Sequence, residues 1–250
     1  MGIAVAMARE GAAVVVAARR VETGEPVAAR IRDEGGRAIC VRCDVASRDD
    51  VDASVAAAVD SFGGLDCMVH NALAPAGPPT ELQDLGADVI DGMMSTAVKA
   101  TFSCAQAAFP QLRDRRGSYI VISSAAGVEG SPYLPTYSLV KAAQRGFAKA
   151  LAREWGPLGI RVNSIGPVAM TPAMELMYSR NPILEQRLVG RTPLGHIGDP
   201  VDDIGPVAVF LASDDCRYFT GNTLWVDGGN HIGGSSWQPA TWAKEHETDG

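Results

Sequence analysis

The chain of 250 residues is long enough for one large α/β domain or two small ones. Its net charge of -7 points away from nucleic acid or an anionic membrane surface as the main partner. No apolar run is long enough to span a bilayer, and residues 1 to 18 lack the basic start and cleavage pattern of a secretory leader.

Strand-like and helix-like segments then alternate along the chain. A short Ala-rich helix runs to Glu10, and a glycine turn leads into a strand around Val14 to Val16. Residues 22 to 34 read as a helix closed by Gly35 and Gly36. "AICVRCDV" follows as a strand. Its Cys40 and Cys43 spell C-x-x-C, but residues three apart on a strand point to opposite faces, so they read as two small buried residues. With Cys67, Cys104 and Cys216 they make five scattered cysteines, which fits a reducing cytoplasm. His70, His196, His231 and His246 share no ligand spacing with one another or with the cysteines, and no metal is expected.

Residues 48 to 62 read as a helix, "LDCMVHNA" as a strand, and about 86 to 113 as a long helix. "SYIVISS" is a strand and residues 135 to 155 a second long helix, ended by Gly156-Pro157. "IRVNSIGP", a helix over 200 to 213 and the strand "TLWVDGG" complete the order. Short apolar strands alternating with helices imply one domain with a parallel sheet covered on both sides, a three-layer α/β/α arrangement. Residues 168 to 198 interrupt the rhythm just after a strand, where ligands bind in such sheets. Met170, Met174, Leu176 and Met177 suit them to be a substrate lid. Residues 230 to 250 form a tail that carries Trp237 and Trp242.

The sharpest chemical signal is "SSAAGVEGSPYLPTYSLVKAA". Tyr137 and Lys141 are four apart on a helix and share a face, and Ser124 ends the preceding strand. A tyrosine titrates near ~10, and a neighbouring ammonium is expected to lower that value by favouring the phenolate. The serine hydroxyl can hold a carbonyl or alcohol oxygen beside the phenol. Together they suit proton delivery to a ketone as a hydride reaches its carbon.

With these residues the sequence resembles the short-chain dehydrogenase/reductase family from Gly2 to Gly229. Ser124, Tyr137 and Lys141 stand at the family's catalytic interval. "CDV" matches the turn whose acidic residue, here Asp44 beside Val45, contacts adenine. "HNA" matches the Asn-Asn-Ala-Gly turn, with Asn71 and Ala72. "IRVNSIGP" leads to the nicotinamide side at Pro167, Val168 and Thr171, and "TGNTLWVDGG" matches the closing strand. The resemblance implies a Rossmann-type doubly wound parallel sheet and an NAD(H)- or NADP(H)-dependent oxidoreductase. Ala17-Ala18-Arg19-Arg20 stands where NAD-preferring folds place a carboxylate on the ribose hydroxyl. Arg19 and Arg20 offer charge to a 2′-phosphate instead, so NADP(H) is favoured over NAD(H).

The sequence departs from the family at four places. Only Gly2 matches the glycine-rich loop, and the first strand before it is not in the sequence. This predicts a natural start roughly 15–20 residues earlier and two central strands without partners. Ala97 stands where a catalytic Asn is expected. Leu73 and Val168 replace glycines, which predicts crowding on the cofactor side. The expected activity is interconversion of a secondary alcohol and a ketone on an apolar substrate, steroid-, terpenoid- or 3-oxoacyl-like. The alternatives are a catalytically impaired binding or assembly protein and an enoyl-type reductase, although that branch spaces its Tyr and Lys differently. Apolar and small residues on the 135–155 helix (Ala142, Ala143, Phe147, Ala148, Leu151 and Ala152) predict a homotetramer or homodimer.

Overall fold

The computed structural model describes residues 1–75 and 77–232. Most of the tail named above, with Trp237 and Trp242, lies outside the described residues. The elements run α1 Gly2–Arg9, β1 Ala13–Ala18, α2 Val21–Asp33, β2 Arg37–Arg42, α3 Arg48–Phe62 and β3 Cys67–His70. Next come α4 Ala87–Met93, a π-helical turn Met94–Lys99, α5 Ala100–Arg115, β4 Ser118–Ile122, α6 Ala126–Glu129 and α7 Pro135–Trp155. β5 Arg161–Pro167, α8 Pro172–Arg180, α9 Pro182–Arg191, α10 Gly205–Ala212 and β6 Thr223–Val226 close the order.

All strand pairs are parallel, and helices flank them on both faces, so the fold is Rossmann-like. α1, α2 and α10 form one layer, and α3, α5 and α7 the other. The expected single sheet is in two pieces. β1 pairs with β2, and β3-β4-β5-β6 form a second sheet. No ladder joins β1 to β3 among the described residues. The physical result is visible in burial: β4, paired on both sides, is wholly buried, whereas β1 is half-buried along nearly all its length. α1 rests on both α10 and α2 and so links the two halves.

The core divides by sheet face. Tyr119, Val121 and Val162 pack with Leu112, Leu151 and Trp155 beneath α5 and α7. Ile120 and Ile165 pack with Ala208 and Leu211 beneath α10. Three of the α7 residues expected at a subunit contact, Ala148, Leu151 and Ala152, belong to this core instead. Ala142, Ala143 and Phe147 stay partly or wholly exposed. The predicted helix over 200–213 shortens to α10, because the Asp199 carboxylate accepts from Val201 N at 2.6 Å and Asp202 N at 2.8 Å and holds a turn there. Among the described residues no helix is long and apolar enough to cross a membrane.

The long helix predicted over 86–113 is present as α4, the π-helical turn and α5. Thr96 lies in that turn. Its hydroxyl donates to Gly92 O and accepts from Ala74 N, both at 2.8 Å, which ties the helix to the loop after β3. Such π-helical turns often mark functional sites.

Candidate active site

β4 ends at Ile122, and Ser123 N still donates to Ile165 O of the neighbouring strand at 2.7 Å. Ser124 therefore leaves the sheet at the carboxyl end of a central strand, where open α/β sheets bind ligands. Its hydroxyl oxygen accepts from Ala126 N at 3.2 Å and shapes the turn into α6. α6 lies directly on α7. Gly127 permits this, since a Cβ there would stand 2.6 Å from the Lys141 carbonyl carbon and 2.7 Å from Ala142 N. Pro135 starts α7 at a position that needs no backbone donor. Tyr137 follows in the first turn and Lys141 one turn later.

Tyr137, Ser124 and Lys141 are thus brought together, with electrostatics that differ from the sequence expectation. Burial pushes the Tyr137 phenol above its ordinary value, and the neighbouring Ser124 hydroxyl partly offsets this. Lys141 does not lower it. The ammonium is buried and donates to Ile122 O at 2.6 Å and Gln144 Oε1 at 3.1 Å, 5.7 Å from the Tyr137 ring centroid. Burial in turn brings Lys141 down to about 8. The phenol is therefore protonated at neutral pH, the state of a proton donor.

The residues expected to meet a dinucleotide lie just past strand ends. Arg19 and Arg20 follow β1, both exposed, and neither guanidinium pairs with a described carboxylate. Asp44 follows β2, and its carboxylate accepts from Ala46 N at 3.0 Å, with Val45 half-buried beside it. Asn71 is exposed and Ala72 half-buried after β3. Pro167 ends β5, Val168 N donates to Val226 O at 3.0 Å, and Thr171 caps α8 by accepting from Met174 N at 3.3 Å. Gly2 is buried at the start of α1, where a Cβ would collide with the Pro200 carbonyl. Its close contact is therefore with the chain itself. Leu73 packs with Met93, Ala97 and Val140, the cluster on which Tyr137 also packs.

Three residues missed in the sequence complete the site. Gln144 and Thr101 form hydrogen bonds behind Lys141, and His70 is buried nearby with Nδ1 3.8 Å from Cys104 Sγ. Burial first, then the Lys141 charge, brings His70 down to about 4, so it is neutral. A Gln three residues after Lys141 shares its helix face, and that was the available signal.

A nicotinamide dinucleotide fits these residues on one structural ground. The end of β1 offers two exposed guanidinium groups and no carboxylate at Ala17 or Ala18.

A two-sided parallel α/β fold with a Ser, Tyr and Lys converging at a strand's carboxyl end defines an oxidoreductase of the dinucleotide-binding class. The family model described as enoyl-(acyl carrier protein) reductase matches residues 1–231. An uncharacterized oxidoreductase of Mycobacterium bovis is 38% identical over 225 residues, covering 89% of this chain and 88% of its own. The 3-oxoacyl-[acyl-carrier-protein] reductase of Staphylococcus aureus is 34% identical over 232 residues, covering 92% of each. A gluconate 5-dehydrogenase from Burkholderia cenocepacia, solved with NADP and tartrate, superposes with a TM-score of 0.84 at 29% identity, covering 92% of this chain and 90% of its own. The chain belongs to the short-chain dehydrogenase/reductase family.

Proposed function

We propose that this protein is an NADP(H)-dependent alcohol dehydrogenase or carbonyl reductase acting on an apolar, steroid-, terpenoid- or 3-oxoacyl-like substrate. The observation that carries the reading is the convergence at the end of β4 of Ser124, the partly buried Tyr137 and the buried Lys141, whose ammonium lies 5.7 Å from the Tyr137 ring centroid. The dinucleotide, when bound, supplies the hydride in reduction and accepts it in oxidation. Ser124 holds the substrate oxygen. Tyr137 delivers its proton to that oxygen in reduction and, as the phenolate, receives one in oxidation. Lys141 places a positive charge beside the phenol, 5.7 Å from its ring centroid, and with a dinucleotide bound it would be the cation nearest the ribose hydroxyls. Arg19 and Arg20 hold the 2′-phosphate, and Asp44 with Val45 borders the adenine. Asn71, Ala72, Pro167, Val168 and Thr171 would border the pyrophosphate and nicotinamide side, while Gly2, buried against Pro200, would contribute only through the start of α1.

The helices α8 and α9 support an apolar substrate. Leu176, Met177 and Ile183 are exposed there, on a segment that follows β5 at the same end as Ser124. The Tyr137-to-Lys141 spacing with Ser124 favours a carbonyl over a carbon–carbon double bond. On this reading the protein works in the cytoplasm as a homodimer or homotetramer. The partly exposed Phe102–Phe147 pair, with ring centroids 6.2 Å apart, supports a helix-to-helix contact. The second reading, a family member that binds without turnover, draws on Ala97 where a catalytic Asn is expected and on the single glycine that matches the glycine-rich loop. A panel of ketones assayed with NADPH and with NADH decides: turnover favouring NADPH sustains the proposal, and cofactor binding with no turnover sustains the second reading.

A further inference from the structure

We propose that Gln144 is a positioning residue for Lys141: its side-chain oxygen holds the ammonium one helical turn from Tyr137, and its amide nitrogen anchors that hold on Thr101. The role of Lys141 rests on the function proposed above; its coupling to Gln144 does not.

The hydrogen bonds define one direction only. Thr101 Oγ1 donates to Ala97 O at 2.6 Å, so its hydroxyl proton is committed and the oxygen accepts from Gln144 Nε2 at 2.9 Å. The Gln144 amide therefore faces Thr101 with nitrogen and Lys141 with oxygen. The flipped amide would set a donor against the ammonium. Gln144 is 2% exposed and Lys141 4%, so water does not substitute freely for either partner. Ala97, wholly buried on the π-helical turn, contributes its carbonyl as the fixed end of the chain. An amide passes no proton readily, and so the chain orients the ammonium rather than relaying a proton.

The groups around Lys141 leave Gln144 a distinct part. Tyr137 faces it from its own helix, the Ile122 carbonyl from β4, and the neutral His70 from β3. Thr101 and Cys104 of α5 are uncharged neighbours of this cluster. No described carboxylate acts on Lys141. Gln144 is the only side-chain acceptor that the ammonium finds among the described residues.

The test compares Gln144→Met, which keeps the volume and removes the acceptor, with Gln144→Glu, which makes the acceptor anionic. The chain has four lysines, Lys99, Lys141, Lys149 and Lys244, so 13C labelling at the lysine ε-carbon gives a small spectrum, and Lys141→Met assigns the signal. The titration is read by NMR without dinucleotide. Gln144→Met lowers the Lys141 midpoint, by about tenfold in acid constant, and Gln144→Glu raises it. Thr101→Val lowers it by less. Unchanged midpoints, or shifts of the same sign in Gln144→Met and Gln144→Glu, overturn the proposal. If Gln144→Met fails to melt cooperatively, the opposite signs required of Gln144→Glu and Thr101→Val decide. The pH limb of ketone reduction should move with each midpoint. A protein that reduces no ketone but shows these midpoints refutes the proposed function and leaves this inference standing.

Discussion

Gly127 and Lys141 touch through their backbones: a Cβ at 127 would stand 2.6 Å from the Lys141 carbonyl carbon. The contact seats α6 on α7 and so places Ser124 against Tyr137. Gly127→Ala must push the two helices apart, since backbone cannot swing away as a side chain does. The expected cost is about 1–3 kcal/mol of stability. The expected fall in kcat is at least tenfold, a loss of about 1.4 kcal/mol of transition-state stabilisation. Urea unfolding and steady-state kinetics check both, and unchanged kcat in a destabilised variant would show that Ser124 does not depend on this contact.

Tyr137→Phe removes only the hydroxyl from a ring already packed on the Met93, Ala97 and Val140 cluster. Turnover should fall by ~100-fold or more while calorimetric titration shows NADPH binding nearly intact. Lys141→Ala should impair both. Retained steady-state activity in the Phe variant would refute the proton-donor assignment.

Burial lowers Lys141 from 10.5 to about 8, so the folded chain gives up this proton more readily than the unfolded chain. Between those values the unfolded state binds more protons, and stability from this group rises with pH. Below pH 8 the penalty is fully present, roughly 3 kcal/mol. Wild type should therefore gain stability relative to Lys141→Met as pH rises from 7 to 10. Parallel pH profiles in urea unfolding would show that the ammonium is not desolvated as described.

Arg19 and Arg20 stand exposed at the end of β1, with Ala18 where a carboxylate would favour NADH. Arg19→Ala combined with Ala18→Asp should reverse the preference for NADPH, read as the ratio of kcat/KM for the two dinucleotides. A parent protein that already favours NADH by about tenfold, near 1.4 kcal/mol, would sink the cofactor argument.

Phe102 is half-exposed against Phe147 on the α5 and α7 face. If a second copy covers that face, Phe102→Glu should at least halve the mass seen by light scattering while the melting curve stays cooperative. A monomeric parent at micromolar concentration would remove the basis for the contact.

The sequence by itself determined the alternation of strands and helices, the helix of Tyr137 and Lys141, and the position of Ser124 at a strand end. These are local facts: periodicity, caps and a spacing of four are encoded within one segment. Only the tertiary structure decided what surrounds the site. Leu73 joined the Met93, Ala97 and Val140 cluster on which Tyr137 packs, a meeting of the loop after β3 with helices that no local pattern records. Ala148, Leu151 and Ala152 went to the core, because the sheet claimed more of α7 than periodicity alone reveals. Lys141 was bound by Gln144 and Ile122 with its ammonium 5.7 Å from the Tyr137 ring centroid, and burial overrode the expected direction at Tyr137. Thr101 and Gln144 are 43 positions apart. Their hydrogen bond exists because α5 and α7 cover the same sheet face, and the spacing within either helix carries no record of that meeting.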